Sequence, residues 1–210
     1  MDFRKINNPK RVSSDFLKKL AQTKPSGSYL AQDKWDGWRR PLIKENGVIR
    51  FANKGGEQAR REMPSDLTEE LSALLKNVDN VGLDTEWVGP RNKDAINATL
   101  GKNHNCIVVH DLHYLNGLWI GNQPASTRFA NLTTLLELAK ASCNAPRINL
   151  VRCWSKDWDK MFEDSKLNPL LEGVVIKDSS SLLGYPWMSG EDNIGWFKVK
   201  WRDIHEASNF

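Results

Sequence analysis

The chain has 210 residues, enough for one generous domain or two small ones, and its 40% hydrophobic and 27% charged residues are those of an ordinary globular protein. Its net charge of +4 permits a polyanionic partner without demanding one. No apolar run approaches the roughly 20 residues of a membrane span, and the opening MDFRKINNPKRV lacks the apolar centre of a signal peptide. The expectation is therefore a cytoplasmic protein (nuclear in a eukaryote) with no membrane partner. Cys106, Cys143 and Cys153 are odd in number and lack C-x-x-C spacing, and the histidines are scattered, which argues against a disulfide frame or a zinc site.

In chain order, the spacing predicts a first helix over 14–22, led by a Ser-Ser-Asp cap candidate. Residues 41–53 read as a hairpin turning at Asn46-Gly47. Residues 66–76 read as an amphipathic helix with Asp66 and Glu69 spaced as a capping box. Strands are expected over 81–88 and 105–114, the second ending at Asn116-Gly117, with a polar loop or insertion over 89–103 between them. Then follow a helix over 126–141, a strand over 147–154 and a short charged helix over 155–166. Two last strands, 173–178 and 195–201, flank a Ser-rich loop. The mixture predicts an α+β fold of mostly antiparallel sheets with helices packed outside. No linker-like stretch divides it, so a single domain over 1–210 is expected.

Four segments carry chemistry. Lys34-Trp-Asp36-Gly-Trp-Arg39 has the spacing K-x-D-G-x-R, which presents a lysine beside an Asp-Gly turn. A lysine titrates near ~10.4 and attacks only where its site supplies the neutral amine. In Leu83-Asp84-Thr85-Glu86, the two carboxylates lie at i and i+2 and so share one face of an apolar strand. That costs energy unless a cation or a sugar hydroxyl meets them. Glu172-Gly-Val-Val-Ile-Lys177 opens a β-branched run with a carboxylate. In Trp196-Phe-Lys198-Val-Lys200, two lysines share a strand face opposite Phe197 and Val199, an arrangement that calls for an anion such as a phosphate. Several of the nine tryptophans adjoin basic residues, as in Trp38-Arg39-Arg40, a pairing suited to bases and phosphates, although most are expected to be core.

These segments, in this order, resemble the ATP-dependent DNA and RNA ligase family within the covalent nucleotidyltransferases. KWDGWR resembles motif I, LDTEWV motif III, EGVVIK motif IV and WFKVKW motif V. Val109-His-Asp-Leu-His-Tyr-Leu-Asn-Gly117 resembles motif IIIa, and Asn53-Lys54-Gly55 lies where DNA ligases carry a motif touching the nicked strand. The resemblance implies the nucleotidyltransferase (ATP-grasp-like) ligase core. It makes Lys34 the nucleophile that forms lysyl-AMP, with Asp36 beside it and Lys198 and Lys200 on the α-phosphate. It also implies Glu172 as a Mg2+ ligand, and Arg39 and Glu86 on the ribose. Val175 and His110 would flank adenine, His110 departing from the usual phenylalanine, and Gln32 would read the base edge. Lys54 and Arg40 would meet nucleic acid.

The implied function is sealing of 5′-phosphate/3′-hydroxyl nicks in duplex nucleic acid, DNA favoured, by a monomer using ATP and Mg2+. An RNA ligase, a capping guanylyltransferase and a catalytically silent nucleic-acid-binding module are the alternatives. Ten residues follow Lys200 (210 − 200), too few for the five strands of an OB-fold. The expectation is one nucleotidyltransferase domain without that module, open to a separate OB-fold or clamp partner.

Overall fold

The computed structural model describes residues 1, 8–53, 55–59, 62–88, 105–183 and 193–201. In chain order its elements are β1 (Pro9–Arg11), α1 (Ser14–Thr23), β2 (Tyr29–Trp35), β3 (Trp38–Arg39), β4 (Leu42–Glu45), β5 (Val48–Phe51), α2 (Ser65–Leu74), β6 (Val81–Val88), β7 (Cys106–Leu115), β8 (Leu118–Trp119), α3 (Ala125–Ser142), β9 (Ile148–Leu150), β10 (Cys153–Trp154), α4 (Trp158–Ser165), β11 (Leu171–Asp178) and β12 (Asn193–Lys200). The predicted α+β class, antiparallel for the most part, is what the chain adopts; β1 on β12 and β9 on β7 are the parallel pairs.

The chain divides into two compact units. The first comprises Met1–Lys5, Gly37–Ile120 and Arg128–Leu150. Its seven-stranded sheet runs β5-β4-β6-β7-β8, with β3 also on β6 and β9 on β7. The core-facing side of β6 and β7 (Leu83, Trp87, Ile107, Val109, Leu112) packs with Leu67, Leu71 and Leu74 of α2 and Leu132, Leu135 and Leu136 of α3. The second unit comprises Ile6–Asp36, Gly121–Thr127 and Val151–Phe210 and holds a five-stranded sheet, β1-β12-β11-β2-β10. Ala31, Val174, Ile176 and Val199 fill one side of that sheet, against Leu17 and Leu20 of α1 and Trp158, Met161 and Phe162 of α4. Period-2 alternation leaves the opposite side of each sheet to polar residues.

Several local readings change. The hairpin forms as expected, Asn46 and Gly47 both at positive φ (52° and 76°), as a tight two-residue turn requires. The capping box does not form: α2 starts at Ser65 after Pro64 and has no side-chain cap. Asp66 and Glu70 instead grip the Arg147 guanidinium, Glu70 accepting from Arg147 Nε at 2.7 Å. A charge-assisted fork to an arginine outweighs a lone cap bond. Nor does Ser13 cap α1 with its side chain. The single strand expected over 147–154 splits into β9 in the first unit and β10 in the second. The break falls at Arg152, whose guanidinium turns to Asp33 with both bonds at 2.9 Å. The segment 89–103 and Lys54 lie outside the described residues.

Candidate active site

The predicted site residues divide between the units. Gln32, Lys34, Asp36, Glu172, Val175, Lys198 and Lys200 belong to the second, and Arg39, Arg40, Glu86 and His110 to the first.

In the second unit, register puts Lys34 opposite Gly173 and Gly173 opposite Lys200, while Gln32, Val175 and Lys198 form the next cross-strand row. These residues share the sheet side facing away from the core. Glu172 would fall on the core side by simple alternation, as the neighbour of Gly173. It does not, because β11 steps from Leu171 to Gly173 while β2 steps only from Trp35 to Lys34. Glu172 is the extra residue of a β-bulge, and the bulge turns its carboxylate onto the lysine side. Gly173 makes this possible: its φ is +148°, and a Cβ there would lie 1.9 Å from the Val199 carbonyl oxygen.

The result is one carboxylate oxygen shared by two ammonium groups. Lys34 Nζ donates to Glu172 Oε2 at 2.7 Å, and Lys200 Nζ lies 2.7 Å from the same oxygen. Their side chains keep 22% and 28% exposure against 14% for Glu172, so the cluster is covered but reachable. Burial pushes the Glu172 carboxyl up, yet the Lys34 charge and hydrogen bonds with Lys200, Lys34 and Asp36 outweigh it and hold the group down to about 2. Backbone bonds fix both ends of the cluster: Asp36 N donates to the Leu170 carbonyl at 2.9 Å, and Trp201 N to the Glu172 carbonyl at 3.0 Å. Along the same sheet side, the Lys177 ammonium sits 4.2 Å from the centroid of the Trp196 ring. Beside Gln32 lies Cys153, its thiol pushed up by burial to about 12 and so held as an inert thiol.

In the first unit, β3 pairs with β6 so that Arg39 stands opposite Glu86. The guanidinium forks onto Asp84, with Nε and Nη2 each 2.7 Å from a carboxylate oxygen. Arg39 is thus the cation that the paired carboxylates of LDTE require. Burial pushes the Asp84 carboxyl up, but the Arg39 charge and hydrogen bonds, with smaller help from His113 and His110, hold it down to about 2. Glu86 accepts from Gly37 N at 3.1 Å, and a Cβ on Gly37 would lie 2.5 Å from the Trp87 carbonyl oxygen. The glycine of the Asp-Gly turn is therefore a close-approach residue. Arg40 is tied by its main chain, its N donating to the Thr85 carbonyl at 2.7 Å and its own carbonyl accepting from the Thr85 hydroxyl.

Two further bulges lie in β7. It steps from Asp111 to Val109 opposite Asp84 and Thr85, and from Tyr114 to Leu112 opposite Gly82 and Leu83, so His110 and His113 are its extra residues. Asp111, directly opposite Asp84, has its own partner in Arg128, with bonds of 3.0 and 3.1 Å from a guanidinium that is fully buried. Burial drives the His113 imidazole down to about 4 against the pull of Asp84 and Asp111. The sequence reading passed over Asp84 as a site residue, the Asp111–Arg128 pair, His113 and the Asp33–Arg152 fork. Bulges and buried partners leave no periodic signal, although an aspartate inside an apolar strand points to a hidden cation.

The family model described as "ATP dependent DNA ligase domain" matches residues 12–200. The chain belongs to the ATP-dependent DNA ligase domain family. No curated protein matches it. Among solved structures, mycobacterial DNA ligase D complexed with ATP and MES is similar at TM-score 0.67 and 21% identity over 95% of this chain and 62% of that one. The ligase domain of M. tuberculosis LigD is similar at TM-score 0.65 and 20% identity over 95% of this chain and 61% of that one. The ATP-dependent DNA ligase of bacteriophage T7, in complex with ATP, follows at 0.59 and 14% over 92% and 68%. At these identities the likeness is one of fold, and this ligase-family chain spans less than two thirds of the first two.

Proposed function

We propose that the chain is the adenylylating domain of an ATP-dependent DNA ligase. The observation carrying this reading is the shared carboxylate: two lysines of motifs I and V on one oxygen of the motif IV glutamate, brought together by a bulge. In the first step, Lys34 Nζ attacks the α-phosphorus of ATP, an N–P bond forms, and the bond to the β-phosphate oxygen breaks with loss of pyrophosphate. Attack needs the uncharged amine, so Lys34 sheds a proton and gives up its contact with Glu172. Lys200 and Lys198 then face the α-phosphate, where charge builds in the transition state. AMP next passes to a 5′-phosphate at a nick, and attack by the 3′-hydroxyl expels it.

The remaining roles follow the family pattern. Arg39, held by Asp84, and Glu86 bind ribose; Val175 and His110 flank adenine, and Gln32 reads its edge. Asp36 orders the nucleophile's surroundings, and Arg40 and Lys54 meet the nicked strand. Assignment of both units' residues to one nucleotide rests on that pattern. A single carboxylate with phosphates and water suits Mg2+, and the described residues contain no group of three His, Cys, Asp or Glu that would make a zinc cage. Glu172 would hold the Mg2+, which supplies charge neutralisation on the phosphates. Nicked duplex DNA as substrate, a monomeric state, a separate OB-fold or clamp partner, a role in DNA repair or replication and a cytoplasmic or nuclear site of action belong to the same proposal. Among the described residues no helix is long and apolar enough to cross a membrane.

The test is labelling by ATP tagged at the α-phosphate with Mg2+, followed by sealing of nicked DNA, RNA and hybrid duplexes. Wild type takes up label, Lys34→Ala does not, and DNA nicks are sealed in preference. Absence of label on wild type, together with failure on pre-adenylylated nicks, sinks the reading.

A further inference from the structure

The two aspartate–arginine forks of the first unit are neighbours by register. Between the two bulges of β7, Leu83 faces Leu112 and Asp84 faces Asp111, the leucines in the core and the aspartates on the other side of the sheet. Carboxylates directly opposite on adjacent strands repel each other, and both of these are buried. Each is met by a guanidinium from a different element: Arg39 comes from β3, and Arg128, itself fully buried, from α3. Asp111 Oδ1 also accepts from the Leu112 main-chain N at 2.9 Å. Burial pulls the Arg39 guanidinium down, but the charge and hydrogen bonds of Asp84 and the charges of Glu86 and Asp111 carry it up. Asp111 thus acts on Arg39 from across the ladder. The Arg39 fork engages Nε and Nη2, so it sets the plane of the group and the direction of Nη1, the nitrogen left for a ligand on this partly exposed side chain.

We propose that Arg128 and Asp111 are positioning residues for nucleotide binding: the Arg128 fork occupies Asp111 and so keeps the Arg39 guanidinium on Asp84, with Nη1 aimed at the ribose. The inference rests on the reading of Arg39 as a ribose-binding residue and adds the pair that fixes its orientation. Without the fork, Asp111 competes with Asp84 for Arg39, and the guanidinium plane turns. Without the Asp111 charge, Arg128 competes with Arg39 for Asp84. With both charges removed neither competition arises, because a buried ion pair replaced as a whole by neutral groups is often tolerated where a broken one is not. Arg128 is fully buried and acts through Arg39.

The test is a double-mutant cycle in the full chain: Arg128→Met, Asp111→Asn and the two together. Each single substitution is expected to raise the KM for ATP in lysyl-AMP formation about five- to tenfold. Its kcat should stay within about threefold of wild type, because Lys34, Glu172 and Lys200 keep their own contacts. The double variant returns to within about twofold of the wild-type KM. Preference for ATP over 2′-deoxy-ATP or 3′-deoxy-ATP, whichever wild type rejects more, should shrink in the singles and return in the double, since a ribose contact already lost cannot be lost twice. Misfolding alone lowers the labelled fraction and leaves both the KM and this preference where they were. Titration with ATP followed by tryptophan fluorescence reads the same binding without any chemistry. If wild type is never labelled but its ATP affinity falls in the singles and returns in the double, the adenylylation reading fails and the positioning pair stands. If wild type is labelled and the singles match it in KM and ribose preference, the inference is overturned. A double variant as impaired in KM as the worse single overturns it too, since the loss then comes from packing rather than charge. Should Arg128→Met not fold, Asp111→Asn and the double variant decide by the same criteria.

Discussion

Two charged clusters, one in each unit, handle charge in opposite ways. In the first, each of the two facing aspartates has its own arginine: Asp84 is forked by Arg39 and Asp111 by Arg128, at side-chain exposures of 7% and 3% for the acids. In the second, Glu172 is divided between Lys34 and Lys200, all three partly exposed. A closed one-to-one fork in a dry setting is costly to open and so holds position. A shared carboxylate with two mobile ammonium groups is cheap to rearrange, which a nucleophile that must lose its proton and change partners requires. Both arrangements lie beside β-bulges, which put Glu172, His110 and His113 where plain alternation would not.

The largest expected effect breaks the second arrangement at its backbone. Gly173→Ala drives a Cβ to 1.9 Å from the Val199 carbonyl oxygen, so the register of β11 and β12 must shift. We expect labelling by ATP to fall at least about 100-fold, the scale of losing preorganised charge around a reacting phosphate, with a lowered Tm by calorimetry. Unaltered labelling would show that the bulge is dispensable.

Next, Asp84→Ala leaves the Arg39 charge buried without its fork, at a cost of about 3–5 kcal/mol in chemical denaturation. Glu172→Gln tests the contrast directly, because Lys34 and Lys200 can turn to water; it should cost only about 1 kcal/mol while still crippling labelling. If the two substitutions destabilise equally, the distinction between a holding pair and an exchanging trio is lost.

The pH dependence separates His113 from the paired carboxylates. His113 titrates near 4 when folded against 6.5 ordinarily, so the unfolded chain binds the extra proton first. Stability from this group is complete above pH 6.5 and is lost as pH falls from 6.5 towards 4, by a few kcal/mol at most. Asp84 and Glu172 are depressed instead, to about 2 from 3.8 and 4.5, so their contributions are present above those ordinary values and fade as pH drops towards 2. His113 Nε2 is buried without a hydrogen-bond partner among the described residues. His113→Leu should therefore flatten the stability curve between pH 6.5 and 4 without a loss at pH 7, as denaturant midpoints would show. A slope that persists in the variant points to another group.

What could be read from the sequence followed local chemistry. Asn46-Gly47 announces its hairpin because few residues accept two positive φ angles. The acids of LDTE announce a hidden cation because buried charge needs a partner, and Arg39 is that partner. What could not be read depends on contacts distant in sequence. The strand expected over 147–154 looks continuous until Arg152 meets Asp33, 119 residues earlier in the chain. Asp66 looks like a cap until Arg147 claims it. Glu172 looks like an exposed strand start, since alternation carries no mark of an inserted residue. The short edge strand β1 had no signal of its own.

The most direct measurement is peptide mapping by mass spectrometry after the full chain has been incubated with ATP and Mg2+. One AMP on the Lys34 peptide, through an acid-labile phosphoramidate and absent from Lys34→Ala, is the result expected of the Lys34–Glu172–Lys200 cluster. AMP on another residue, or persisting in Lys34→Ala, would contradict it.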